Sequence, residues 1–311
     1  MVFAAGRGQR MRPLSDAVPK PALPTPSGPV VCAAIRQAIA SGCERIVVNT
    51  WHLADRMEAA IHRCEVRGCD LVCSNETELM GTAGGLALAR DSGLLSTDGP
   101  VLVINGDCLS DLSLEPLIRH FNACDDLVSL GLIPHPDPTR WSRVFLHDGG
   151  TVGEILPPNE DPHDRSSLLY PGVMVVSREA LDGLVATPHG VGEGLWAPAR
   201  ACGRLGGAVV NGRWTEVGTP ADYLEAVRHQ LEGRSVVDPS VSLGTDVDVS
   251  GAFVGRAACL GSCSRVIDSI VTDGAVVGRE ATITRSVLLG PVQIAAGATV
   301  VDEFHAAPPS T

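Results

Sequence analysis

The chain contains almost no lysine: Lys20 is the only one among its 311 residues, and every other strong base is arginine. The two cations are not equivalent, because the ammonium group is a compact point charge whereas the guanidinium group is planar and forked. Lys20 lies between Pro19 and Pro21, beside a glycine-rich turn. We therefore interpret Lys20 as a phosphate-binding group; the alternative is that chance left the last lysine at this position.

The chain also lacks an excess of positive charge and any long apolar run. Its net charge is −12, which disfavours nucleic acid and anionic membranes as partners. No apolar run reaches the length of a membrane span, and no basic and apolar leader is recognisable. We expect a cytoplasmic protein that binds neither membrane nor nucleic acid, with its positive charge concentrated locally, as in residues 7–20.

Paired CxxC spacing is absent although the chain has ten cysteines. Cys64, Cys69 and Cys73 form a loose cluster, and Cys259 lies close to Cys263, but neither group has the spacing of a zinc site. The expectation is a reduced protein whose thiols are largely buried.

The stretch around Lys20 combines flexible backbone with positive charge. A short apolar strand leads into Gly6 and Gly8, whose backbone can approach an anion closely. Arg10 and Arg12 follow, so two guanidinium groups and one ammonium group can neutralise a polyphosphate. The sequence therefore predicts a phosphate-binding loop at the end of the first strand.

This stretch resembles the opening signature of the sugar-phosphate nucleotidyltransferases (NDP-sugar pyrophosphorylases), including mannose-1-phosphate guanylyltransferases. The matching residues are Gly6, Gly8, Arg10, Pro13, Leu14, Ser15, Pro19, Lys20 and Pro21. Dinucleotide-binding folds also use a Gly-x-Gly turn, but a helix follows it directly, and Pro13 and Pro19 would break that helix. The resemblance implies that Arg10 and Lys20 are catalytic. It also implies that the nucleotide lies on Ala5, Gly6, Gly8 and Arg10.

A second glycine-rich loop begins a helix of small residues after position 80. A helix start offers unpaired N–H groups, and small residues allow close contact with a planar ligand; the alternative is a tight helix start packed on the sheet. The resemblance implies that the nucleobase lies here and that Glu78, or else Glu76, accepts hydrogen bonds from guanine. GTP is favoured, with UTP and dTTP kept open. The implied nucleotide-binding residues in this loop are Gly81, Thr82, Ala83 and Gly84.

Two acidic residues are candidates for binding Mg²⁺. Asp107 follows the apolar strand at residues 100–104, and a carboxylate at this end of a central strand points into the ligand-binding crevice. The resemblance assigns a metal ligand to this position and a second to Glu216, where the family has aspartate. Mg²⁺ is commonly held by one or two carboxylates together with substrate phosphates. The alternatives are a turn or cap at Asp107 and an exposed helix-start carboxylate at Glu216.

The sugar-phosphate half of the expected site is incomplete. Gly172 matches a family glycine that lies against the sugar. The family's Glu-Lys-Pro, whose lysine holds the sugar phosphate, is replaced by Leu-Pro-Pro at residues 156–158. Glu154, Arg143 or Arg165 could take the place of that pair.

Strands that alternate with helices predict a Rossmann-like α/β domain with a doubly wound mixed sheet over residues 1–233. Apolar residues at intervals of about six, separated by glycines, predict a short left-handed parallel β-helix over residues 234–303; a small β-sandwich is the alternative. Residues 304–311 are expected to form a disordered tail. Such solenoids often stack between subunits, so we expect a homodimer or a higher homo-oligomer.

The expected activity joins a sugar 1-phosphate to a nucleoside triphosphate, giving an NDP-sugar and pyrophosphate, with Mg²⁺ as cofactor. The alternatives are a uridylyl- or thymidylyltransferase of the same family and a non-catalytic regulatory subunit that binds an NDP-sugar. An acyltransferase site in the β-helix is disfavoured, because its roughly 65 residues offer no convincing catalytic histidine and His305 lies beyond its expected end.

Overall fold

The computed structural model describes residues 1–95, 98–160 and 166–307. The alternation of strands and helices that the sequence predicts is confirmed in the first 231 residues. The helices and strands of the first 110 residues are β1 (Val2–Phe3), α1 (Leu14–Ala17), α2 (Val31–Ala40), β2 (Arg45–Thr50), α3 (Ala54–His62), β3 (Asp70–Asn75), α4 (Gly81–Asp91), β4 (Val101–Asn105) and β5 (Cys108–Ser110). The remainder are α5 (Glu115–Ala123), β6 (Val128–Pro134), β7 (Arg143–Leu146), β8 (Val152–Leu156), β9 (Leu168–Leu169), β10 (Val173–Val176), α6 (Arg178–Asp182), α7 (Ala197–Ala201), β11 (Leu205–Val209), β12 (Trp214–Glu216) and α8 (Pro220–Leu231).

The main sheet has ten strands and is mixed. Its order is β3-β2-β1-β4-β10-β6-β9-β7-β8, with β11 paired to β6. The first four strands are parallel, whereas β10 runs antiparallel to both β4 and β6. Because the carboxyl ends of β1, β2 and β4 meet at one edge, the loops that follow them share one crevice. The predicted Rossmann-like mixed sheet is confirmed.

Apolar side chains bury both faces of this sheet. Leu86 of α4 packs with Val103 and Leu130 on one face, and Ile35 of α2 packs with Val48 and other strand residues on the opposite face. The strands therefore read as continuous apolar runs, as expected where helices cover a sheet on both sides. No helix within the described residues is long and apolar enough to cross a membrane.

The cysteine prediction is wrong for one pair. Cys32 of α2 and Cys64, just after α3, form a disulfide with their Cα atoms 5.4 Å apart. The two helices pack on the same face of the sheet, which brings together residues 32 positions apart. Nothing in the spacing of these cysteines indicates that proximity. The other eight cysteines are free thiols, but only Cys108 is buried and four are exposed, so the expectation that the thiols are largely buried is also wrong.

The carboxyl-terminal region is a parallel β-helix of three sheets. Strands that pair in each sheet start 17 residues apart, so one coil takes three strands and three corners. Its strands are β13 (Val236–Val237), β14 (Ser242–Leu243), β15 (Asp248–Ser250), β16 (Phe253–Val254), β17 (Cys259–Leu260), β18 (Arg265–Ile267), β19 (Ile270–Thr272), β20 (Val276–Val277), β21 (Thr282–Thr284), β22 (Val287–Leu289), β23 (Gln293–Ile294), β24 (Thr299–Val301) and β25 (Phe304–Ala306). The predicted left-handed β-helix is confirmed, and the sandwich alternative is excluded.

The last coil extends further than the sequence suggests. Residues 304–306, expected in a disordered tail, form β25, which pairs with β22. Phe304 packs against the core formed with α8, so an apolar side chain holds this segment in place. Residues 308–311 lie outside the described residues.

The β-helix packs directly behind the phosphate-binding loop. Met11 and Leu14, which follow Arg10 in the chain, share a core with Tyr223 of α8 and with Phe253 and Ile270 of the β-helix. Met11 and Leu14 are fully buried. The β-helix therefore supports the loop that carries the expected catalytic residues.

Candidate active site

The predicted phosphate-binding loop lies at the carboxyl end of β1. The Ala4 amide donates to Oδ1 of Asn49 at 2.7 Å, which ties the loop to the end of β2. Gly8 has a φ of 61°, and a Cβ at this position would lie 3.3 Å from the Cβ atoms of both Lys20 and Ser15. Glycine is therefore required here by conformation and by space.

The loop forms one wall of a cleft of about 660 Å³. Side chains and backbone from the ends of β1, β2 and β4 and from the start of α4 complete it. The lining residues are Phe3, Ala4, Ala5, Gly6, Arg7, Gly8, Gln9, Arg10, Lys20, Pro21, Asn49, Leu79, Gly81, Thr82, Asn105, Asp107 and Gly218. Most of the sequence-predicted nucleotide-binding residues thus meet in one place.

Lys20 is held at the base of this cleft by Asp107. Its Nζ lies 2.8 Å from Oδ2 of Asp107, and only 10% of the Lys20 side chain is exposed. Asp107 is more open, with 41% of its side chain exposed. A buried ammonium paired with an accessible carboxylate is suited to a site where both groups meet a charged ligand.

Glu216 reaches the same region from a neighbouring pair of strands. β12 runs antiparallel to β5, and Glu216 lies opposite Cys108, the residue after Asp107. The carboxylate of Glu216 accepts from Nη2 of Arg10 at 3.2 Å, and its other oxygen accepts from Nη2 of Arg140 at 2.8 Å. The strand pairing therefore brings together two acidic residues that are distant in the sequence.

These charged groups also act on the thiol between them. Burial raises the pKa of the Cys108 thiol to about 12, and the nearby carboxylates of Asp107 and Glu216 add to this rise while the Lys20 ammonium opposes it. Cys108 is therefore an inert, protonated thiol at neutral pH, and it is not a candidate nucleophile.

The donors around Asp107 and Glu216 fit a magnesium site of the kind that substrate phosphates complete. No group of three or more His, Cys, Asp or Glu residues in the described parts of the chain could hold a metal ion alone. Two hard carboxylates remain, and cationic side chains already neutralise each of them in the structure. One or two carboxylates with phosphate oxygens are the usual protein environment of Mg²⁺.

The start of α4 is less open than its sequence suggests. Gly81 and Thr82 line the cleft, but the amides of Ala83 and Gly84 donate to the carbonyl oxygen of His189 at 3.1 and 3.3 Å. The expectation of unpaired N–H groups is therefore wrong for Ala83 and Gly84, because a distant segment covers them. A Cβ on Gly84 would lie 2.2 Å from the carbonyl oxygen of Thr187.

The two candidate glutamates before α4 have different environments. Glu76 is buried, and it accepts from Nδ2 of Asn49 at 2.7 Å and from the Met80 amide at 3.0 Å. Burial raises its pKa, and the two hydrogen bonds oppose that rise. Glu78 is exposed. Glu76 therefore fixes the turn into α4, which leaves Glu78 as the accessible carboxylate.

The candidates for the sugar-phosphate side are dispersed. Gly172 has a φ of 94° and packs on Asn105, a cleft residue whose Nδ2 would be 2.5 Å from a Cβ on that glycine. Arg143 is buried, with Nε donating to Oγ of Ser167 at 3.1 Å. Glu154 is exposed on β8. Arg165 lies outside the described residues.

Sequence reasoning missed Arg140 and Trp141, which form part of the site. Both lie in the loop between β6 and β7, and Nε1 of Trp141 donates to Glu216 at 3.2 Å. Trp141 also packs edge-on against Trp214, with ring centroids 5.5 Å apart. No local pattern marks this loop, since its contacts with Glu216 span about 75 residues.

A larger groove, of about 2300 Å³, lies elsewhere on the surface. It is bordered by α2, α5 and α8, and Asp111 and Arg213 on its wall pair with each other at 2.9 Å. Neither Lys20 nor Asp107 lines it. The predicted site residues Arg10, Lys20 and Asp107 line the smaller cleft instead.

Comparisons with known proteins agree with this geometry. A family model described as nucleotidyl transferase matches residues 1–233. The probable mannose-1-phosphate guanylyltransferase 2 of Arabidopsis thaliana is 25% identical over 300 residues, which cover 92% of this chain and 81% of that protein. The mannose-1-phosphate guanylyltransferase of Mycobacterium tuberculosis is 27% identical over 306 residues, which cover 92% of this chain and 82% of that protein.

The fold is also similar to that of a solved structure. The crystal structure of HddC from Yersinia pseudotuberculosis aligns with a TM-score of 0.60 at 19% identity, and the alignment covers 74% of this chain and 97% of HddC. At this level of identity, the likeness shows a shared fold.

Proposed function

Because the chain belongs to the nucleotidyl transferase family, we propose that it joins a sugar 1-phosphate to GTP, forming a GDP-sugar and pyrophosphate. The names of the relatives from Arabidopsis thaliana and Mycobacterium tuberculosis favour mannose 1-phosphate as the acceptor. The observation that carries the proposal is the buried Lys20, held against Asp107 in a cleft that Arg10 also lines.

In this reaction an oxygen of the sugar phosphate attacks the α-phosphorus of the nucleotide. The new phosphorus–oxygen bond forms as the bond to the β-phosphate breaks, and pyrophosphate leaves. The attacking phosphate is already an anion, so no general base is required. The protein must position two anions that repel each other and neutralise the charge that develops on the leaving group.

The proposed roles follow from the positions of the cations. Lys20 binds the α-phosphate at the base of the cleft and bridges towards the sugar phosphate. Arg10, with 67% of its side chain exposed, binds the β- and γ-phosphates. Gly6 has nothing within 4 Å of a Cβ position, so the loop backbone leaves room for the nucleotide.

Asp107 and Glu216 would hold Mg²⁺ in this proposal. When bound, Mg²⁺ supplies Lewis-acid stabilisation of the phosphate oxygens and a template for their orientation. The two carboxylates would exchange their present partners, Lys20 and the guanidinium groups, for the ion, and those cations would then be available to the phosphates.

We test this function by measuring pyrophosphate release from GTP, UTP, dTTP, CTP and ATP against several sugar 1-phosphates. We expect the highest kcat/KM with GTP and mannose 1-phosphate. A preference for UTP or dTTP would reassign the nucleotide within the family. Binding of a GDP-sugar without turnover of any pair would support the non-catalytic alternative.

The proposal also includes the expected biological setting. We propose that residues 1–233 form the catalytic unit and that the β-helix supports it and mediates contact between subunits. Light scattering in solution should therefore report a homodimer or larger oligomer. We place the enzyme in the cytoplasm. Disulfides are rare in cytosolic proteins. Whether Cys32 and Cys64 are oxidised or reduced in cell extracts therefore tests this location.

A further inference from the structure

The loop between β6 and β7, at residues 135–142, places the guanidinium group of Arg140 beside Glu216, a proposed metal ligand. Nη2 of Arg140 donates to Glu216 at 2.8 Å and to Oδ2 of Asp222 at 2.9 Å. Arg10 donates to the other oxygen of the same Glu216 carboxylate. Two guanidinium groups from different parts of the chain thus flank one carboxylate.

Most of the N–H donors of the Arg140 guanidinium make no hydrogen bond within the described residues. Within the described residues, its side-chain hydrogen bonds all come from Nη2, although a guanidinium has five N–H donors. Its side chain is 39% exposed, and its Cζ lies 4.6 Å from the centroid of the Trp141 ring. Stacking therefore holds the guanidinium in place while its remaining donors stay accessible to a ligand.

The same loop contacts the segment where the family's sugar-phosphate lysine is missing. That segment follows β8, and its Asn159 donates from the backbone amide to the carbonyl of Pro138 at 3.3 Å. Nδ2 of Asn159 also donates to the carbonyl of Thr139 at 3.4 Å. The residue after Thr139 is Arg140, so a cation lies beside the position that lost one.

The other described candidates are less suited to bind a phosphate. The Arg143 side chain is buried among β-strand residues, where its Nε bonds Ser167. Glu154 is an acid, which repels a phosphate and could at most accept from sugar hydroxyl groups. Arg140 alone among these three combines positive charge and exposure with contact to a proposed metal ligand.

We propose that Arg140 binds the phosphate of the sugar 1-phosphate, in place of the missing lysine. With Glu216 holding a metal ion, the Arg140 guanidinium would be available to the substrate phosphate and would bind it through two N–H groups. Arg10 lies on the other side of Glu216 and serves the triphosphate. This inference rests on the proposed function, because it names the residue that receives the second substrate.

The kinetic test compares Arg140→Gln and Arg140→Lys with the wild-type protein, using the most active pair from the substrate panel. We expect Arg140→Gln to raise KM for the sugar 1-phosphate by about 10- to 100-fold, the loss of one charge-assisted contact. KM for the nucleoside triphosphate should change by less than about threefold. Arg140→Lys should recover part of the affinity. Arg213→Gln, which removes an exposed arginine paired with Asp111, is the matched control and should leave both KM values unchanged.

A binding experiment separates this inference from the proposed activity. The sugar 1-phosphate of the most active pair is titrated into each protein with Mg²⁺ and an analogue of its nucleotide that cannot be cleaved between the α- and β-phosphates. Its Kd is followed by tryptophan fluorescence, since the Trp141 ring lies against the Arg140 guanidinium. A weaker Kd in Arg140→Gln, with an unchanged Tm, supports the inference. An equal Kd, or equal rises in KM for both substrates, overturns it while wild-type turnover still stands. Absence of both turnover and binding in the wild-type protein contradicts the proposed function and the inference together.

Discussion

Lys20 and Asp107 form an ion pair at 2.8 Å although 87 residues separate them in the sequence. The segment between α1 and α2 supplies the ammonium group, and the turn between β4 and β5 supplies the carboxylate. β1 and β4 are neighbours in the sheet, so their carboxyl ends deliver both groups to one cleft. Parallel pairing of the two strands is thus the structural cause of the site.

Lys20→Ala should abolish turnover while the protein stays folded. Removal of one charge contact to a reacting phosphate costs on the order of 100-fold in rate or more. Lys20→Arg should rescue poorly, because the ammonium is buried against Asp107 and a planar, forked guanidinium does not reproduce its compact point charge. Pyrophosphate release gives the rate, and circular dichroism checks the fold; near-normal activity in Lys20→Ala would refute the assignment.

Asp107→Asn should increase the Mg²⁺ concentration needed for half-maximal activity, or stop catalysis. The amide keeps the size of the side chain but loses the charge that binds a hard cation. The matched control is Asp111→Asn, since Asp111 lies just after β5 and pairs with Arg213 outside the cleft. Mn²⁺ binding by paramagnetic resonance provides a readout independent of turnover. An unchanged metal profile would remove Asp107 from the metal site.

Cys108 should resist thiol reagents in the folded protein at pH 8. Its pKa of about 12 leaves almost no thiolate at that pH, and its side chain is buried. The exposed thiols serve as internal controls and should react readily; they are Cys124, Cys202, Cys259 and Cys263. Peptide mass spectrometry after alkylation identifies the labelled sites. Rapid native labelling of Cys108 would show that the cleft floor is more open than the structure indicates.

Glu76 should make stability depend on pH in a defined direction. Burial raises its pKa in the folded protein above the ordinary 4.5. The folded state therefore holds the proton more tightly, so this contribution to stability is fully present below pH 4.5 and is lost as pH rises through the folded pKa. The free energy of unfolding of the wild-type protein should fall relative to Glu76→Gln between pH 4.5 and 7, measured by urea denaturation.

This test of Glu76 depends on how the difference in free energy of unfolding between wild type and Glu76→Gln changes with pH, and not on the size of that difference at any one pH. Glutamine loses one acceptor for the Asn49 or Met80 donor, which shifts the free energy of unfolding by a constant amount. A difference between wild type and variant that stays flat, or that changes in the opposite direction, would show that Glu76 titrates normally.

Local sequence determined the secondary-structure elements and marked the loop that we propose binds phosphate. Apolar runs and glycine-punctuated turns predicted the alternating strands and the β-helix, because burial and backbone freedom act over a few neighbouring residues. The cap of α8 is equally local, with Oγ1 of Thr219 accepting from the Asp222 amide three residues later. The signature around Lys20 could be recognised from the sequence for the same reason, since all its residues lie within a stretch of 16.

Only the tertiary structure determines which distant residues these side chains and backbone groups contact. Arg140 reaches Glu216, His189 covers the start of α4, and Cys32 bonds to Cys64 only after the sheet and its helices have packed. Each contact joins residues 32 or more positions apart, and periodicity, capping and turn chemistry carry no information over such distances. The sequence therefore identifies most of the residues that we propose to bind phosphate and metal, whereas the ion pairs that they form with one another follow from strand order and loop packing.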